Sequence, residues 1–369
     1  MLTKERILTW LLKPLSLLYG AVVGIRNWMF DNNFLSRTEY DVPVVSVGNI
    51  TVGGTGKTPH VEYIVGMLMS DYNIAVLSRG YKRKTRGFLV ANSNSTPDSI
   101  GDEPLQIYHK YGMRIKVAVC ENRRKGITQL LKNFPEIDLI ILDDAFQHRY
   151  VCPKVSILLM DYNRPIYEDH LLPLGRLREN WHQVERADMV VVTKCPENMS
   201  PLDYRLISSG LNPDQATVSL NPRPYQSLHF STVSYGGLLP VYPDDNPYNV
   251  YLGNLTSKDT VLLLTGIANP RGFVRHFRNY PFKVVVCHYP DHHDFTRKDV
   301  QDIIRKFESL SGERKIIITT EKDAVRLAYN PYVPIAMKQR TFYLPIAVKM
   351  LDTADRPGFI VDLRKRIRQ

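Results

Sequence analysis

The stretch from residue 42 to residue 69, VPVVSVGNITVGGTGKTPHVEYIVGMLM, joins an apolar β-branched run to a glycine-rich loop and then to a segment with apolar residues at helical spacing. Strand, glycine loop and helix in this order are typical of a phosphate-binding loop (P-loop), because backbone N–H groups and a helix N-terminus both face a bound phosphate. Pro59 suits the first turn of that helix, where its missing N–H would have no partner. The chain is therefore predicted to bind nucleotide phosphates.

The predicted phosphate cradle consists of six consecutive residues, Gly53, Gly54, Thr55, Gly56, Lys57 and Thr58. Lys57 is expected to reach the β- and γ-phosphates, and the Thr58 hydroxyl is expected to bind Mg²⁺. The motif departs from GxxxxGK[ST] in one place, since Thr51 stands where the first glycine is usual. Gly53 and Gly54 are expected to supply the backbone freedom instead.

Short apolar runs recur through the first half of the chain, separated by helix-like stretches. Continuous rather than alternating runs are expected of parallel strands that are buried on both faces. The pattern predicts an α/β fold with a P-loop NTPase-like, doubly wound, mostly parallel sheet. Its predicted strands are Val42–Val47, Ile74–Leu77, Ile115–Val119, Leu139–Leu142, Val155–Met160 and Met189–Val192.

Residues 220–258 are rich in Pro, Gly, Asn and Asp, which indicates a connection or ribbon between domains. A chain of 369 residues exceeds the usual size of one domain. We therefore predict an N-terminal helix at 1–30, a P-loop domain at 31–225, and a smaller α/β domain at 226–369 that closes over the active site. The predicted strands of the smaller domain are Val261–Leu264, Val284–Val286, Ile316–Ile318 and Phe342–Leu344.

The N-terminal run ILTWLLKPLSLLYGAVVGI, residues 7–25, is almost wholly apolar but contains Lys13 and Pro14. A membrane-spanning helix needs about 20 apolar residues without a central charge. A helix lying in the membrane interface, with Trp10, Tyr19 and Trp28 as aromatic anchors, is the favoured interpretation. A helix packed on the protein's own core is the alternative.

The net charge of +11 favours anionic partners, which include nucleic acid, anionic lipid headgroups and phosphorylated substrates. Charge alone does not choose among them. The four cysteines are widely spaced and lie in or beside apolar runs, so they are expected to be reduced thiols of a cytosolic protein.

The run IDLIILDD, residues 137–144, places two carboxylates at the end of a predicted strand. Mg²⁺ prefers oxygen ligands, so Asp143 or Asp144 is expected to bind the metal directly or through water. The alternative is that one of them only caps the next helix.

Three further clusters contain residue types that phosphoryl transfer to an alcohol needs. Asp102 and Glu103, in the run GDEP, could act on the acceptor or could simply be acids at a helix N-terminus. The run NRRK at 122–125 could hold a substrate phosphate or be solvated. The run LLPLGRLRE at 171–179 carries arginines in a loop framed by Pro and Gly.

The run HYPDHHDF, residues 288–295, is the densest polar cluster of the smaller predicted domain. It could be a zinc site, since His and Asp are common ligands. Adjacent His292 and His293 tend to point in different directions, however, and no spaced third ligand is evident. A histidine that acts in catalysis or positions the substrate is the favoured interpretation.

Seven motifs occur in one order along residues 40–330: SVGNITVGGTGKTP, GDEP, LDDAFQHR, LLPLGRLRE, TGIANPRGF, PDHHDF and TTEKDA. With the apolar N-terminal segment, they resemble the tetraacyldisaccharide 4′-kinase family. The resemblance implies an ATP- and Mg²⁺-dependent kinase of lipid A biosynthesis at the cytoplasmic face of the bacterial inner membrane, peripheral or anchored by one helix. The implied acceptor is the 4′-hydroxyl of a tetraacylated glucosamine disaccharide 1-phosphate. The implied partners are this lipid and the membrane surface, without nucleic acid or an obligate protein partner.

The resemblance also implies roles for individual residues. Asp102 is expected to act on the acceptor hydroxyl with His292 of the other domain, while Lys57 binds nucleotide phosphates. The implied metal ligands are Thr58, Asp143 and Asp144, supported by Glu103 and Glu179. The arginines expected to face the anionic disaccharide are Arg123, Arg124 and Arg178. Three residues depart from those common in the family and put fine substrate geometry in doubt, namely Ala145, Leu174 and Asn180.

Two other functions fit parts of the sequence. A P-loop GTPase or ATPase switch is suggested by the run VVTKCP at 191–196, but Thr193 and Pro196 replace the Asn and Asp of the guanine-reading motif NKxD. A nucleic-acid ATPase is permitted by the charge but has no supporting motif. Another small-molecule P-loop kinase is a further alternative.

Overall fold

The computed structural model describes residues 4–212, 226–246, 250–352 and 357–369. Pro222, Pro224 and Pro247, which contributed to the predicted connection, lie outside these residues. The described strands are β1 (Val44–Gly48), β2 (Ile74–Ser78), β3 (Leu89–Val90), β4 (Lys116–Val119), β5 (Leu139–Asp143), β6 (Val155–Asp161), β7 (Met189–Thr193), β8 (Ser227–Tyr235), β9 (Leu239–Pro240), β10 (Thr260–Thr265), β11 (Lys283–His288), β12 (Lys315–Thr320), β13 (Thr341–Leu344) and β14 (Ile346–Met350). The described α-helices are α1 (Lys4–Asp31), α2 (Lys57–Leu68), α3 (Pro97–Ile100), α4 (Asp102–Tyr111), α5 (Arg123–Asn133), α6 (Pro201–Leu211), α7 (Arg271–His276), α8 (Arg297–Glu308), α9 (Glu321–Ala328), α10 (Ile335–Lys338) and α11 (Phe359–Arg368).

The larger sheet has nine strands in the order β14-β8-β7-β6-β1-β5-β2-β4-β3. The strands from β8 to β4 are parallel to one another, and β14 and β3 are antiparallel edge strands. The order reverses at β1, which pairs with β5 on one side and β6 on the other. Ligands of doubly wound sheets bind at the carboxyl ends of the strands beside such a reversal. The predicted α/β fold is confirmed.

Apolar side chains on both faces explain why these strands are continuous apolar runs. One face packs α2 and α11 on the sheet through Ile64, Leu68 and Leu363, and the other packs α5 through Ile127. Every residue of β1, β2, β5 and β7 is buried. Burial of this kind removes about 25 cal/mol of unfavourable hydration per Å² of apolar surface, so it stabilises the sheet strongly.

The smaller sheet has five strands in the order β11-β10-β12-β13-β9, with β9 antiparallel to β13. All of it lies in the chain between β8 and β14, which pair with each other as an antiparallel ribbon in the larger sheet. β8 and β14 therefore belong to the larger sheet although both follow residue 225 in the sequence. The reason is long-range pairing, since β8 and β14 are separated by more than a hundred residues of sequence and no local pattern links them.

Helix α1 buries Ser16, Asn27 and Phe30 against the protein and carries a series of apolar side chains outward. Ser16 donates to Leu171 O (2.8 Å), and Tyr19 Oη donates to Arg178 O (2.9 Å). The outward residues are each more than half exposed and are Trp10, Leu11, Leu15, Leu17, Leu18, Val22, Ile25 and Trp28. Among the described residues, no helix combines the length and the apolar character that crossing a bilayer requires.

Candidate active site

The phosphate-binding loop joins β1 to α2, as predicted. Gly53 and Gly56 adopt φ of 107° and 87°, a conformation that favours glycine, whereas Gly54 does not need it. The Asn49 side chain donates to Thr55 Oγ1 (2.8 Å), and Thr193 Oγ1, at the end of β7, donates to Thr55 O (2.9 Å). A Cβ at Gly53 or Gly54 would meet no atom within 4 Å, so the loop's outer side is open.

A cation pair surrounds Asp144 directly after β5. Lys57 Nζ lies 3.7 Å from Asp144 Oδ1, and Arg178 Nη2 donates to the same oxygen (3.1 Å). Burial alone would raise the pKa of Asp144, but Lys57 and Arg178 outweigh it and the pKa is lowered. Asp144 has φ of 47°, which is unusual for a residue with a side chain and is found most often at functional sites.

Asp143 is buried beside two other carboxylates. Its Oδ1 has no hydrogen-bond partner in the described part of the chain. The pKa of Asp143 is raised to about 7, first by burial and then by the negative charges of Glu103 and Asp144. Glu103, in the first turn of α4, and Asp144, directly after β5, thus act on Asp143 through their charges, although no three of the described carboxylates are close enough to hold a metal ion as they stand. Crowded carboxylates with an unsatisfied oxygen are what a hard cation stabilises.

Asp102 and His292 meet across the two sheets. Asp102 is the first residue of α4, beside the larger sheet, while His292 lies after β11 of the smaller sheet. His292 Nδ1 lies 3.2 Å from Asp102 Oδ2, and Arg326 Nε donates to that oxygen (2.8 Å). Burial alone would raise the pKa of Asp102, but its hydrogen bonds with His292 and Arg326 lower it. This pairing is the one that the sequence analysis predicted.

His292 is held in position through its backbone as well. Its φ of 55° is uncommon for a residue other than glycine, and its N–H donates to Gly266 O (3.1 Å). Lys82 Nζ, from the loop after β2, donates to the His292 carbonyl (3.1 Å). The ring of Tyr81 meets the imidazole edge to face, with 5.2 Å between centroids. Both sheets therefore contribute to the orientation of this imidazole.

The other histidines of the run HYPDHHDF have separate partners. His293 Nε2 lies 3.0 Å from Asp299 Oδ2, and His288 Nδ1 lies 3.0 Å from Thr265 Oγ1. No group of three or more His, Cys, Asp or Glu side chains that could hold a metal occurs within residues 4–212, 226–246, 250–352 and 357–369. The geometry does not support the zinc alternative.

Glu179 and Arg123 lie where their side chains have structural partners. Glu179 is buried and pairs with Arg186 and, at 3.9 Å, with Arg26; burial raises its pKa. The buried Arg123 donates to the carbonyls of Cys120 and Asp143 (both 3.1 Å) and so supports the loop that carries the aspartates. Both side chains are buried, which the local sequence could not reveal.

Four arginines surround His148, a residue that the sequence analysis quoted in the run LDDAFQHR but did not assign. Its Nε2 is buried and has no hydrogen-bond partner in the described ranges. The pKa of His148 is lowered to about 4, first by burial and then by the neighbouring positive charges. Those charges belong to Arg123, Arg26, Arg124 and Arg79. A concentration of cations around an unsatisfied nitrogen is suited to an anionic group.

Two further residues were missed because a charged residue near either end of a short helix usually faces solvent. Lys322 and Arg326, on α9, reach across to Glu103 and Asp102 on α4. Both belong to the helix that begins within the run TTEKDA. Only the packing of α4 against α9 brings them to the site.

The comparisons with known proteins agree on one family. The family described as tetraacyldisaccharide-1-P 4′-kinase matches residues 8–367. The tetraacyldisaccharide 4′-kinase of Bacteroides thetaiotaomicron is 46% identical over 347 residues, which cover 92% of this chain and 88% of the relative. That of Parabacteroides distasonis is 44% identical over 362 residues, 97% of this chain and 92% of the relative. The crystal structure of LpxK from Aquifex aeolicus, described as an "apo" form in complex with ATP, matches with a TM-score of 0.70 and 27% identity and covers 98% of both chains.

Proposed function

The chain belongs to the tetraacyldisaccharide-1-P 4′-kinase family, and from this premise we propose that it transfers the γ-phosphoryl group of ATP to the 4′-hydroxyl of a tetraacylated glucosamine disaccharide 1-phosphate in lipid A biosynthesis. The observation that carries the proposal is the meeting of two half-sites. The P-loop with Lys57 and Asp144 belongs to the larger sheet, and His292 comes from the smaller sheet to contact Asp102. A kinase needs both a phosphate cradle and a group that accepts the acceptor's proton.

The P-loop residues fit a nucleoside triphosphate. The loop at Gly53–Gly56 precedes the N-terminus of α2, where an anion is favoured, and is open on its outer side at Gly53 and Gly54. The ammonium of Lys57 would exchange part of its interaction with Asp144 for the β- and γ-phosphates, and so stabilise charge on the transferring group.

Asp143 and Asp144 are the carboxylates that we assign to Mg²⁺, although no group of three metal-binding side chains is preformed in the described part of the chain. Asp143 would use the Oδ1 that is now unpartnered, and Glu103 and the Thr58 hydroxyl would move closer to complete the ligand set. When bound, the metal would supply positive charge to the phosphate oxygens. Glu179 pairs with Arg186 and Arg26 but keeps a buried Oε1 without a hydrogen-bond partner in the described residues, so its predicted supporting role is retained in the proposal.

The Asp102–His292 pair would handle the acceptor's proton. A sugar hydroxyl is too weak an acid to ionise at neutral pH, so its proton must be accepted as the new bond forms. Asp102 orients the imidazole through Oδ2, and the imidazole offers its other nitrogen to the acceptor side. Closure of the smaller domain on α4 would complete this pair and exclude water, which limits wasteful hydrolysis of ATP.

The arginines that remain available would bind the acceptor's anionic groups. Arg178 is engaged by Asp144 and Arg123 by backbone carbonyls, so the predicted role passes mainly to Arg124 and Arg79 around His148. Arginine guanidinium groups bind phosphate through paired hydrogen bonds.

Helix α1 would bring the enzyme to the membrane that contains its lipid substrate. Its polar side is bound to the protein near Leu171 and Arg178, and its apolar side faces outward. This arrangement supports a peripheral helix in the membrane interface, at the cytoplasmic face of the bacterial inner membrane.

The test is ATP-dependent phosphate transfer to a tetraacylated disaccharide 1-phosphate in detergent micelles. The wild-type enzyme should form product, and Lys57→Ala should lose transfer almost completely. Lys84→Ala, which removes a surface partner of Asp98, is the matched control and should retain activity. Hydrolysis of ATP without transfer by the wild type would overturn the proposal in favour of another acceptor or a switch ATPase.

A further inference from the structure

Lys322 joins the two half-sites through one ammonium group. It lies in the first turn of α9, and its Nζ is 2.8 Å from His292 Nε2 and 3.2 Å from Glu103 Oε1. Asp291 Oδ1 is more distant, at 3.9 Å. Its side chain is 21% exposed, so the contacts are largely shielded from water. Lys322 therefore contacts one residue of the proton-accepting pair and one carboxylate of the proposed metal cluster.

The contact with His292 restricts where that imidazole carries its proton. A lysine ammonium can donate hydrogen bonds but cannot accept them, so Nε2 is the accepting nitrogen in this contact. A neutral imidazole then carries its proton on Nδ1, which faces Asp102 Oδ2 at 3.2 Å. This is the form in which His292 has a lone pair on the nitrogen that points away from Asp102.

The other tautomer of the imidazole, with its proton on Nε2, would also find a hydrogen-bond donor. Arg326 Nη2 lies 3.0 Å from His292 Nδ1 and would donate to that nitrogen if it lost its proton. Glu103 would then be a nearby acceptor for a proton on Nε2. The surroundings of His292 thus offer partners to both tautomers, and Lys322 is the group that excludes the second one.

We propose that Lys322 is a positioning residue for phosphoryl transfer, which holds His292 in the tautomer protonated on Nδ1 and links it to Glu103. Lys322 donates to the Nε2 lone pair until the acceptor hydroxyl replaces it. Because α9 follows a strand of the smaller sheet and Glu103 lies on α4, the link forms only when the two domains are together. The role in transfer depends on the proposed function, whereas the control of the tautomer does not.

The first experiment compares steady-state kinetics of Lys322→Ala and Lys322→Arg. Lys322→Ala should lower kcat about 10- to 100-fold, the size of effect that misplacement of a reacting group causes, with the KM for ATP within about twofold. Lys322→Arg keeps the charge and donor groups and should recover part of kcat. The control is Lys338→Ala, which removes an ion pair of the same length (3.2 Å, with Asp245) in the same domain and should leave kcat unchanged. Equal losses in Lys322→Ala and Lys322→Arg, or a kcat for Lys322→Ala within twofold of wild type, would overturn the proposal.

The second experiment reads the tautomer directly and needs no substrate. In protein labelled with ¹⁵N-histidine, the His292 signals are identified by their absence in His292→Gln. The wild type should show a protonated Nδ1 and an unprotonated Nε2, and Lys322→Ala should shift the population toward the opposite form. An unchanged tautomer in Lys322→Ala would overturn the proposal. If the tautomer changes as expected but the wild type transfers no phosphate to the lipid, the proposed function fails and the positioning by Lys322 stands.

Discussion

Arg326 on α9 donates from Nε to Asp102 Oδ2 on α4 across 2.8 Å, and both side chains are largely buried, with 5% and 13% exposed. The helix α9 follows β12 of the smaller sheet, whereas α4 precedes β4 of the larger sheet. Removal of one partner from a buried ion pair leaves an uncompensated charge, so each domain depends on the other at this point. Asp102, which is proposed to orient the His292 imidazole, is therefore held by a residue that follows the smaller sheet.

Asp102→Asn tests the carboxylate with little change of shape. The variant keeps the side-chain volume but removes the charge that His292 and Arg326 face. We expect kcat to fall about 10²- to 10⁴-fold, the usual contribution of acid–base groups, while the KM for ATP changes little because the P-loop is untouched. Asp98→Asn, in the exposed first turn of α3, is the control. A rate for Asp102→Asn close to that of Asp98→Asn would rule out the role.

Asp143→Asn tests the metal site. The substitution weakens the ligand whose Oδ1 is unpartnered, so the Mg²⁺ concentration at half-maximal rate should rise about tenfold or more. A titration of activity against Mg²⁺ measures it. Asp138→Asn, on the exposed side just before the other end of β5, keeps the acceptor for the Asn73 N–H and should titrate like the wild type. A matching Mg²⁺ titration for Asp143→Asn would show that this carboxylate does not hold the metal.

The buried His60 is expected to make the stability of the protein depend on pH. Burial lowers its pKa to about 4 in the folded protein, and its nitrogens contact Gly56 O (2.7 Å) and Ser231 Oγ (2.9 Å). Between pH 6.5 and about 4 the unfolded chain binds a proton that the folded His60 does not. Stability therefore falls as pH decreases through this window, by at most about 1.4 kcal/mol per pH unit from this group.

Urea unfolding at pH 5, 6 and 7.5 measures this effect. His60→Asn should be less stable than the wild type at pH 7.5, because buried contacts are lost. Its free energy of unfolding should, however, fall less steeply between pH 6.5 and 5 than that of the wild type. His148, whose pKa is lowered in the same direction, should account for part of the slope that remains. The exposed His170 supplies the control His170→Asn. If the free energy of unfolding of His60→Asn falls with pH as steeply as that of the wild type, His60 is not the group that causes the pH dependence.

We expect helix α1 to bind membranes through leucines on its outward side. Leu15 and Leu18 are 53% and 64% exposed on the outward side of the helix, and burial of a leucine in an apolar phase contributes about 1.5–3 kcal/mol. The double substitution to Glu should reduce sedimentation with vesicles of phosphatidylethanolamine and phosphatidylglycerol at least tenfold. Leu202→Glu/Leu206→Glu on α6 is the matched control, since these leucines are 62% and 60% exposed. Equal binding by the two double variants would contradict the assignment.

Local patterns in the sequence were sufficient to predict the P-loop and the strands named in the sequence analysis. Backbone conformation at Gly53 and Gly56, and burial on both faces of β1, β2 and β5, leave signatures within a few residues of sequence. The same is true of the two aspartates after β5. These features depend on neighbours along the chain, so residue type and spacing predict them.

Features that depend on long-range packing were not predicted. The return of β14 to the larger sheet requires pairing with β8 across the whole smaller sheet. Lys322 belongs to a helical first turn that looks solvated in sequence, and only the contact of α4 with α9 gives it partners. The ion pair of Glu179 with Arg26 of helix α1, at 3.9 Å, was not visible in the sequence either. In each case, the deciding partner lies in another segment of the chain.

The position of the transferred phosphate tests the central claim most directly. The product formed by the wild-type enzyme from ATP and a tetraacylated disaccharide 1-phosphate can be analysed by ¹H–³¹P correlation spectroscopy. The account predicts a new phosphate whose phosphorus couples to the proton on carbon 4′, with the 1-phosphate unchanged, and no such product from Lys57→Ala. A phosphate at another position, or release of inorganic phosphate alone, would contradict it.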